Sequence, residues 1–323
     1  MSIFDNAHYT AWGNAFLQGI PYARDAGMRV VSIGEGRARV SMDARAEWVG
    51  DAARGQLHPG CATVLADTAC GVAVGTALNP IVPFATLDLR MDYLRPAQTG
   101  AVLECEAHCH RLSRSVAFVR GEVFQQGSEE AVAAVNATFM LGTANARRTD
   151  LPAKDAGAPP LPPAATQPAP ASPLLARLGE LSATPALPAG LSPYVDFLAV
   201  ERHTLPEPTA SDEMLFKLPF NPGLIGNPVL PALHGGVIAG FAETAAVLHL
   251  VYSNGLQRDT TPRGVDFAID YLRSAKPIDT WARCTTVRQG SRVALVQVHV
   301  WQDDPTRPIV SARSHCLLPR ASE

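Results

Sequence analysis

Two histidine–acid pairs are the residues of this sequence best suited to chemistry. Asp67 lies nine positions after His58, and Glu243 lies nine positions after His234. Each acid stands in an apolar run that predicts a buried helix, where a carboxylate is costly unless it is paired or used. A carboxylate placed in this way can take a proton from water or attack a carbonyl carbon. The N–H groups at the start of such a helix can stabilise a developing negative charge.

The two pairs are copies of one pattern. The histidines are 176 positions apart (58 to 234), and so are the acids (67 to 243). Two further segments recur after 178 and 177 positions: Tyr93-Leu94-Arg95 as Tyr271-Leu272-Arg273, and Val116-Ala117-Phe118-Val119 as Val293-Ala294-Leu295-Val296. Near-constant offsets predict a duplicated domain. We expect the two halves to pack as a pseudo-symmetric pair, like a homodimer fused into one chain.

The elements that must position these residues follow from the apolar periodicity. Long helices are predicted over residues 61–78 and about 235–252, and a shorter helix over 4–20 that stops before Pro21. Alternating patterns predict strands over 27–43, 84–93, 101–112, 115–125 and 131–141. One central helix followed by a run of four antiparallel strands is an α+β unit.

Residues 151–173 differ in composition from the rest of the chain. Eight of these 23 residues are proline and seven are alanine, which cannot build a core. They predict a mobile, partly polyproline-like linker, about 70 Å long when fully extended. The predicted organisation is therefore a domain over 1–146, a linker over 147–173 and a second domain over 174–323.

The overall composition excludes several functions. The 27 basic and 30 acidic residues give a net charge of −3, whereas a general nucleic-acid binder needs a strong basic excess or patch. The N-terminus lacks the basic region and apolar core of a signal peptide, and the apolar run 62–78 is interrupted by Asp67. We expect a soluble, cytoplasmic protein that binds neither nucleic acid nor membrane.

The six cysteines predict neither disulfides nor a metal site. None forms a Cys-x-x-Cys pair, so reduced and mostly buried thiols are expected. Cys105, His108, Cys109 and His110 are close in sequence, but on a strand the cysteines face one side and the histidines the other. Four ligands could not converge there. Cys61, in the first turn of a helix, has no neighbours that mark it as a nucleophile.

These motifs resemble the hotdog fold, in which a curved antiparallel sheet wraps one long helix. Each half is similar to the acyl-CoA thioesterases of the phenylacetate-degradation and 4-hydroxybenzoyl-CoA type. The likeness rests on His-Gly-Gly at 234–236, the acid nine residues after the histidine, Leu65-Ala66-Asp67-Thr68-Ala69 and Tyr93-Leu94-Arg95-Pro96. It covers both halves and leaves out the linker. It implies a double hotdog of class α+β, with two antiparallel sheets joined into one pseudo-dimer, and a thioesterase that needs no cofactor.

The resemblance also implies roles for individual residues. In this family the residue after the histidine supplies the oxyanion N–H, the helix acid is the base or nucleophile, and the site lies between two units. One implied site joins Asn227, His234 and Gly235 of the second half with Asp67 and Thr86 of the first. Asn227 would assist through its amide, although it is one position further from the histidine than is usual. Thr86 would position water.

The other implied site joins Asp51, His58 and Pro59 of the first half with Glu243 and Gly264 of the second. Pro59 has no backbone N–H, Gly264 has no hydroxyl, and Asp51 would repel a developing anion. One competent and one degenerate site per chain are therefore expected.

Structural roles stay open for several of these residues. Pro59 suits the first turn of a helix, and the N–H of Gly60 could then replace the missing donor. His234 could simply cap a helix, Asp67 could be a buried structural acid, and Asn227 could be an ordinary turn residue.

Binding of coenzyme A is expected at arginines, which suit phosphates. Four arginines lie at turns before strands, where they could equally be solvated: Arg111, Arg114, Arg288 and Arg292. The family further implies that two chains form a homodimer. Two other functions stay open, a non-catalytic acyl-CoA-binding or regulatory protein and an enoyl-CoA hydratase, although no Asp–His hydration motif lies along the helix. The acyl group is not determined by the sequence.

Overall fold

The computed structural model describes residues 7–79, 81–142, 182–185, 192–204, 214–227, 231–255 and 261–319. Two units with a similar order of elements follow each other within these ranges. The predicted linker, 147–173, and both predicted domain boundaries lie outside the described residues.

The strands of the described residues form one large antiparallel sheet and two short ribbons. Their bounds are β1 (Arg29–Gly34), β2 (Arg37–Met42), β3 (Val49–Asp51), β4 (Gln56–Leu57), β5 (Phe84–Tyr93), β6 (Leu103–Leu112), β7 (Val116–Gln125), β8 (Ala133–Leu141), β9 (Ser182–Pro185), β10 (Glu201–Thr204), β11 (Met214–Leu218), β12 (Ile225–Asn227), β13 (Ala232–Leu233), β14 (Arg263–Tyr271), β15 (Thr280–Gln289), β16 (Val293–Trp301) and β17 (Val310–Leu317). The 13-stranded sheet has the order β1-β2-β6-β7-β8-β5-β14-β17-β16-β15-β11-β10-β9, and the ribbons pair β3 with β4 and β12 with β13.

Two long helices lie against this sheet. The helices are α1 (Ala7–Gln18), α2 (Pro21–Asp25), α3 (Pro59–Ala77), α4 (Pro193–Phe197) and α5 (Gly235–Ser253), with 3-10 turns at Ala46–Trp48 and Pro222–Leu224. The predicted long helices are thus found, with α3 beginning two residues earlier than expected because Pro59 occupies its first turn. By length and composition α3 and α5 could each cross a membrane, but 78% and 72% of their apolar windows are buried inside the protein.

The two halves join through one pair of central strands. β5 pairs with β14 in antiparallel register, with Leu89 opposite Ile269 and Asp92 opposite Asp266. Two halves, of six and seven strands, therefore form one continuous sheet, which is the double hotdog that the sequence predicted.

Close backbone contacts bring α3 and α5 together on the sheet. A Cβ on Gly60 would come within 3.1 Å of the Gly240 Cα, and a Cβ on Gly236 would come within 2.7 Å of the Val64 Cα. Glycine is therefore needed at these crossing points. The two helices cross within their first turns, where residue 60 meets residue 240 and residue 64 meets residue 236. Because the order is reversed, the helices run antiparallel. The start of each helix consequently lies beside the acid of the other.

Candidate active site

The predicted acid of the first half is a buried carboxylate between the two halves. Asp67 is 6% exposed and lies in the middle of α3. Its Oδ1 accepts a 3.0 Å hydrogen bond from the Thr86 hydroxyl on β5. Burial raises the pKa of Asp67 above its usual value, while the Thr86 hydroxyl and the Gly236 N–H favour the charged form and oppose that rise. The carboxylate is thus more basic than an exposed aspartate.

His234 caps the helix that points at this carboxylate. Its Nδ1 accepts the Gly236 N–H at 3.0 Å, so the ring proton belongs on Nε2, which lies 3.2 Å from the Thr68 hydroxyl. Burial lowers the pKa of His234, with Asp67 opposing the shift. The 3.6 Å approach of Nδ1 to Asp67 Oδ2 is consequently not an ion pair, because a neutral Nδ1 carries a lone pair. His234 therefore positions the helix start.

Gly235, the first residue of α5, presents its N–H at the same place. Gly235 is partly exposed, and none of the described residues accepts a hydrogen bond from its N–H. A Cβ at this position would lie 3.2 Å from Asp67 Oδ2 and 3.5 Å from the Tyr271 ring. The Tyr271 hydroxyl donates a 2.9 Å hydrogen bond to the Gly235 carbonyl oxygen and fixes this turn. The first residue of α5 and the carboxylate are thus neighbours, and the dipole of α5 favours an anion at this helix start.

The opposite end of the helix pair repeats the cap but not the donor. His58 Nδ1 accepts the Gly60 N–H at 3.0 Å, and Tyr194 stacks on the His58 ring at 4.4 Å between centroids. Burial lowers the pKa of His58 to about 3. Pro59 occupies the position equivalent to Gly235 and has no N–H. Because the Gly60 N–H already donates to His58, it is not available to replace the missing donor.

Glu243, the acid of this second end, is held in a different state. It is 1% exposed, and within the described residues its Oε1 has no hydrogen-bond partner. The Thr63 hydroxyl lies 3.4 Å from Oε2 and 2.7 Å from the Tyr93 hydroxyl. Burial raises the pKa of Glu243 to about 8, opposed by the Tyr93 and Thr63 hydroxyls. Gly264 stands where Thr86 stands in the first site, so no side-chain hydroxyl from that position reaches the acid.

Two residues of the predicted sites, Asn227 and Asp51, lie in the loops before the histidines. Asn227 is exposed at the end of β12, where it pairs in register with Ala232. Asp51 is ion-paired with Arg54, with 2.6 Å between Oδ2 and Nη1. The structure therefore brings four of the five residues of the first predicted site together, whereas Asn227 is exposed at the end of its strand.

The four arginines predicted to bind coenzyme A are exposed at two hairpins. The hairpin with Arg111 and Arg114 lies beside the first site, since Ala117 pairs with Phe139 and Phe139 pairs with Thr86. The hairpin with Arg288 and Arg292 lies beside the second end, because Val293 and Arg263 both pair with Leu317 and so lie at the same end of their strands.

Sequence reasoning missed the threonine hydroxyls that lie beside the two histidines. Thr68 bonds to His234, and Thr244 lies 3.4 Å from His58 Nε2. The signal was present, because each threonine directly follows an acid and the two are 176 positions apart (68 to 244). Tyr271 was noted only as part of a repeated motif.

The possible metal cluster does not form. Cys105 and Cys109 are buried while His110 is exposed, so the side chains alternate across β6 as predicted. In the part of the chain that the structure describes, no three His, Cys, Asp or Glu side chains are grouped to hold a metal ion, and the six cysteines are free.

Comparison with known proteins shows which families and structures this chain is similar to. A family model described as the thioesterase superfamily matches residues 54–132 and again 230–309. The medium/long-chain acyl-CoA thioesterase YigI of Escherichia coli K12 is 28% identical over 143 residues, which cover 40% of this chain and 91% of that protein. A mutant of the phenylacetic acid degradation protein PaaI from Thermus thermophilus is 33% identical and covers 38% of this chain and 98% of that one, with a TM-score of 0.34.

A structure of similar size shows the same fold over most of this chain. The conserved protein of unknown function with hot dog fold from Alicyclobacillus acidocaldarius aligns with a TM-score of 0.55 at 15% identity. The alignment covers 87% of this chain and 92% of that one. Both halves are therefore present in a single arrangement known from an experimental structure.

Proposed function

This chain belongs to the thioesterase superfamily and contains two hotdog domains, and we propose that it hydrolyses acyl-CoA thioesters at one competent site between its halves. The site consists of Asp67 and Thr86 from the first half and of His234 and Gly235 from the second. The observation that carries the proposal is the buried Asp67 carboxylate beside the start of α5, where its Oδ2 lies 3.2 Å from the place that a Cβ on Gly235 would occupy.

Hydrolysis at this site needs an anion donor and a base. When water attacks the thioester carbonyl carbon, the carbonyl oxygen becomes an anion that accepts the Gly235 N–H at the positive end of α5. Asp67 takes the proton of that water, or it attacks the carbon itself and forms an anhydride that water then hydrolyses. Collapse of the tetrahedral intermediate breaks the C–S bond and releases coenzyme A as a thiolate. The thiolate takes up the proton that Asp67 removed from water or, in the anhydride route, a proton of the water that hydrolyses the anhydride. The raised pKa of Asp67 makes its carboxylate a stronger base for the first route and a stronger nucleophile for the second.

The other residues prepare these two groups. The Thr86 hydroxyl donates a 3.0 Å hydrogen bond to Asp67 Oδ1, and the other oxygen, Oδ2, lies on the side of Gly235. His234 Nδ1 accepts a hydrogen bond from the Gly236 N–H, which is therefore not available to the substrate. The N–H of Gly235 is then the donor for the substrate. Asn227, whose side chain is exposed, is proposed only to contact the part of the substrate that enters from solvent.

The second end is proposed not to hydrolyse. It lacks a backbone donor at Pro59 and a hydroxyl at Gly264, and Glu243 holds its proton at neutral pH. A protonated carboxyl cannot accept the proton of an attacking water.

The substrate class and coenzyme A contacts follow from the same reasoning. Because the Escherichia coli relative is a medium/long-chain acyl-CoA thioesterase, medium and long acyl chains are the first substrates to test. Arg111 and Arg114 are proposed to bind the phosphates at the Asp67 site, since their hairpin lies two strands from Thr86. Reversing both charges should raise KM and leave kcat nearly unchanged.

A free-thiol assay over a panel of acyl-CoA chain lengths tests the proposal. We expect one equivalent of thiol and one of free acid per thioester, and equal rates with and without EDTA, because the chemistry uses side chains and backbone only. If the folded chain releases no thiol from any member of the panel, the non-catalytic binding function is favoured instead. An enoyl-CoA is assayed beside the panel. If its enoyl absorbance is lost without release of thiol, the chain is a hydratase.

We also propose that two chains form a homodimer, as the family resemblance implies. Light scattering at micromolar concentration should give twice the 34.3 kDa of one chain. A mass of one chain would contradict this part of the proposal.

A further inference from the structure

A cavity of about 650 Å³ opens beside the second end of the helix pair. Both halves line it. The start of α3, with His58 and Pro59, forms one wall, and the later turns of α5 form another. Its size falls in the usual range for small-molecule sites, which is about 300–1,000 Å³. It is therefore large enough for a ligand at the end where hydrolysis lacks its donor.

The wall contributed by α5 is apolar. Val247, Leu248 and Val251 follow each other at helical spacing along it, and Ala62 of α3 and Leu94 face the same space. An apolar chain in this cavity would leave water for a hydrocarbon surface, which is favourable in proportion to the area buried. This wall suits an acyl chain.

The charges around the cavity favour an anion. Arg95 and Arg263 both line it, and the pairing of Asp92 with Asp266 places them side by side at the adjoining ends of β5 and β14. The lining acid, Asp51, is already ion-paired with Arg54. Arg95 is itself paired with the exposed Glu130, so Arg263 is the better residue to change in a test.

A polar group without a partner lies behind the wall of the cavity. Glu243 Oε1 has no hydrogen-bond partner among the described residues, and a Cβ on Gly264 would lie 3.6 Å from it. Gly264 is part of the cavity lining. Glu243 itself is 1% exposed and does not line the cavity, and because burial raises its pKa to about 8, its carboxyl adds no negative charge beside the cavity at pH 7.

We propose that this cavity binds an acyl chain with an anionic head group and does not hydrolyse it. The head could be that of an intact acyl-CoA or the carboxylate of the free acid, which share this chemistry. The inference rests on the proposed function to the extent that Asp67, not Glu243, is taken as the hydrolytic acid. The degenerate end is then a second ligand site of the chain.

Calorimetric titration with S-dodecyl coenzyme A, a thioether that cannot be hydrolysed, tests this inference on the full chain. Val247→Trp fills the cavity from α5 and should bind one equivalent per chain fewer than the wild type. Val31→Trp makes the same change at an exposed position on β1 and should bind as the wild type does. A parallel titration with dodecanoate separates the sources, because the free acid competes for this equivalent only if its carboxylate suffices.

A second variant keeps the test independent of folding in the core. Arg263→Glu reverses an exposed charge at the mouth and should weaken the same equivalent at least tenfold. Arg307→Glu, exposed and away from the cavity, is its matched control. Unchanged stoichiometry in Val247→Trp together with unchanged affinity in Arg263→Glu would overturn the inference.

Hydrolysis measured in the same samples separates the two proposals. If the equivalent is lost while thiol release continues, the second site is a binding site. If thiol release disappears together with the equivalent, the cavity serves hydrolysis and the inference is wrong. If the wild type releases no thiol but still loses one equivalent in Val247→Trp, the proposed function fails and the binding site stands.

Discussion

Glu243 should make the stability of the chain depend on pH in a specific direction. Burial raises its pKa from 4.5 to about 8. Between these values the folded chain holds a proton that the unfolded chain has released, so the free energy of unfolding falls as pH rises. The contribution is fully present below pH 4.5 and is lost by about pH 8. At about 1.4 kcal/mol per pH unit, the whole window corresponds to about 5 kcal/mol as an upper bound.

The replacement Glu243→Gln removes this titration and keeps the side-chain shape. Relative to the wild type, the variant should gain about 3 kcal/mol in unfolding free energy between pH 5 and pH 7. Urea unfolding followed by circular dichroism at pH 5, 6 and 7 measures the difference. Glu122→Gln, at an exposed position on β7, is the matched control and should follow the wild type. Identical pH dependence of wild type and Glu243→Gln would refute the reasoning, because Glu243 would then ionise at its usual pH.

Three further predictions concern the Asp67 site. Thr86→Val removes the 3.0 Å hydrogen bond that favours the charged Asp67 carboxylate. We therefore expect kcat to fall about tenfold and the acidic limb of the kcat/KM profile to move to higher pH. Thr99→Val, at an exposed position, is the control and should change neither. Gly235→Ala places a Cβ 3.2 Å from Asp67 Oδ2 and should lower kcat/KM at least tenfold. The control Gly75→Ala, whose Cβ would make only ordinary contacts at 4.0 Å, should not lower it. Equal rates in the two variants would mean that the substrate does not use the space beside Gly235. In the wild type, kcat/KM should fall as pH drops through the raised pKa of Asp67, because the base must be ionised, and a rate that rises on acidification would exclude this role.

The repeat offset predicted most of the fold and the frame of the site. A constant separation of 176 between the two histidines and between the two acids predicted the duplication, and the family resemblance then implied which helix start meets which acid. The missing N–H of Pro59 could also be read directly, since it depends on residue type alone.

Other features depend on contacts that one chain's sequence does not display. The two equivalent tyrosines act differently: Tyr93 meets the hydroxyl of Thr63, but Ala239 stands at the equivalent place in α5, and Tyr271 turns to the Gly235 carbonyl. The neutral state of His234 follows from a backbone hydrogen bond. The exposure of Asn227 follows from where a three-residue strand ends, which short-range patterns do not determine.

The asymmetry of the two ends is tested most directly by thiol release from one acyl-CoA under one set of conditions, with Asp67→Asn and Glu243→Gln compared after both are shown to fold. The account predicts that Asp67→Asn lowers kcat at least about a hundredfold, because it removes the base or nucleophile. Glu243→Gln should change kcat less than about threefold, because its carboxyl is already neutral at pH 7. A crippled Glu243→Gln beside a nearly normal Asp67→Asn would show that the sites are assigned the wrong way round, and equal partial losses would mean that both ends hydrolyse.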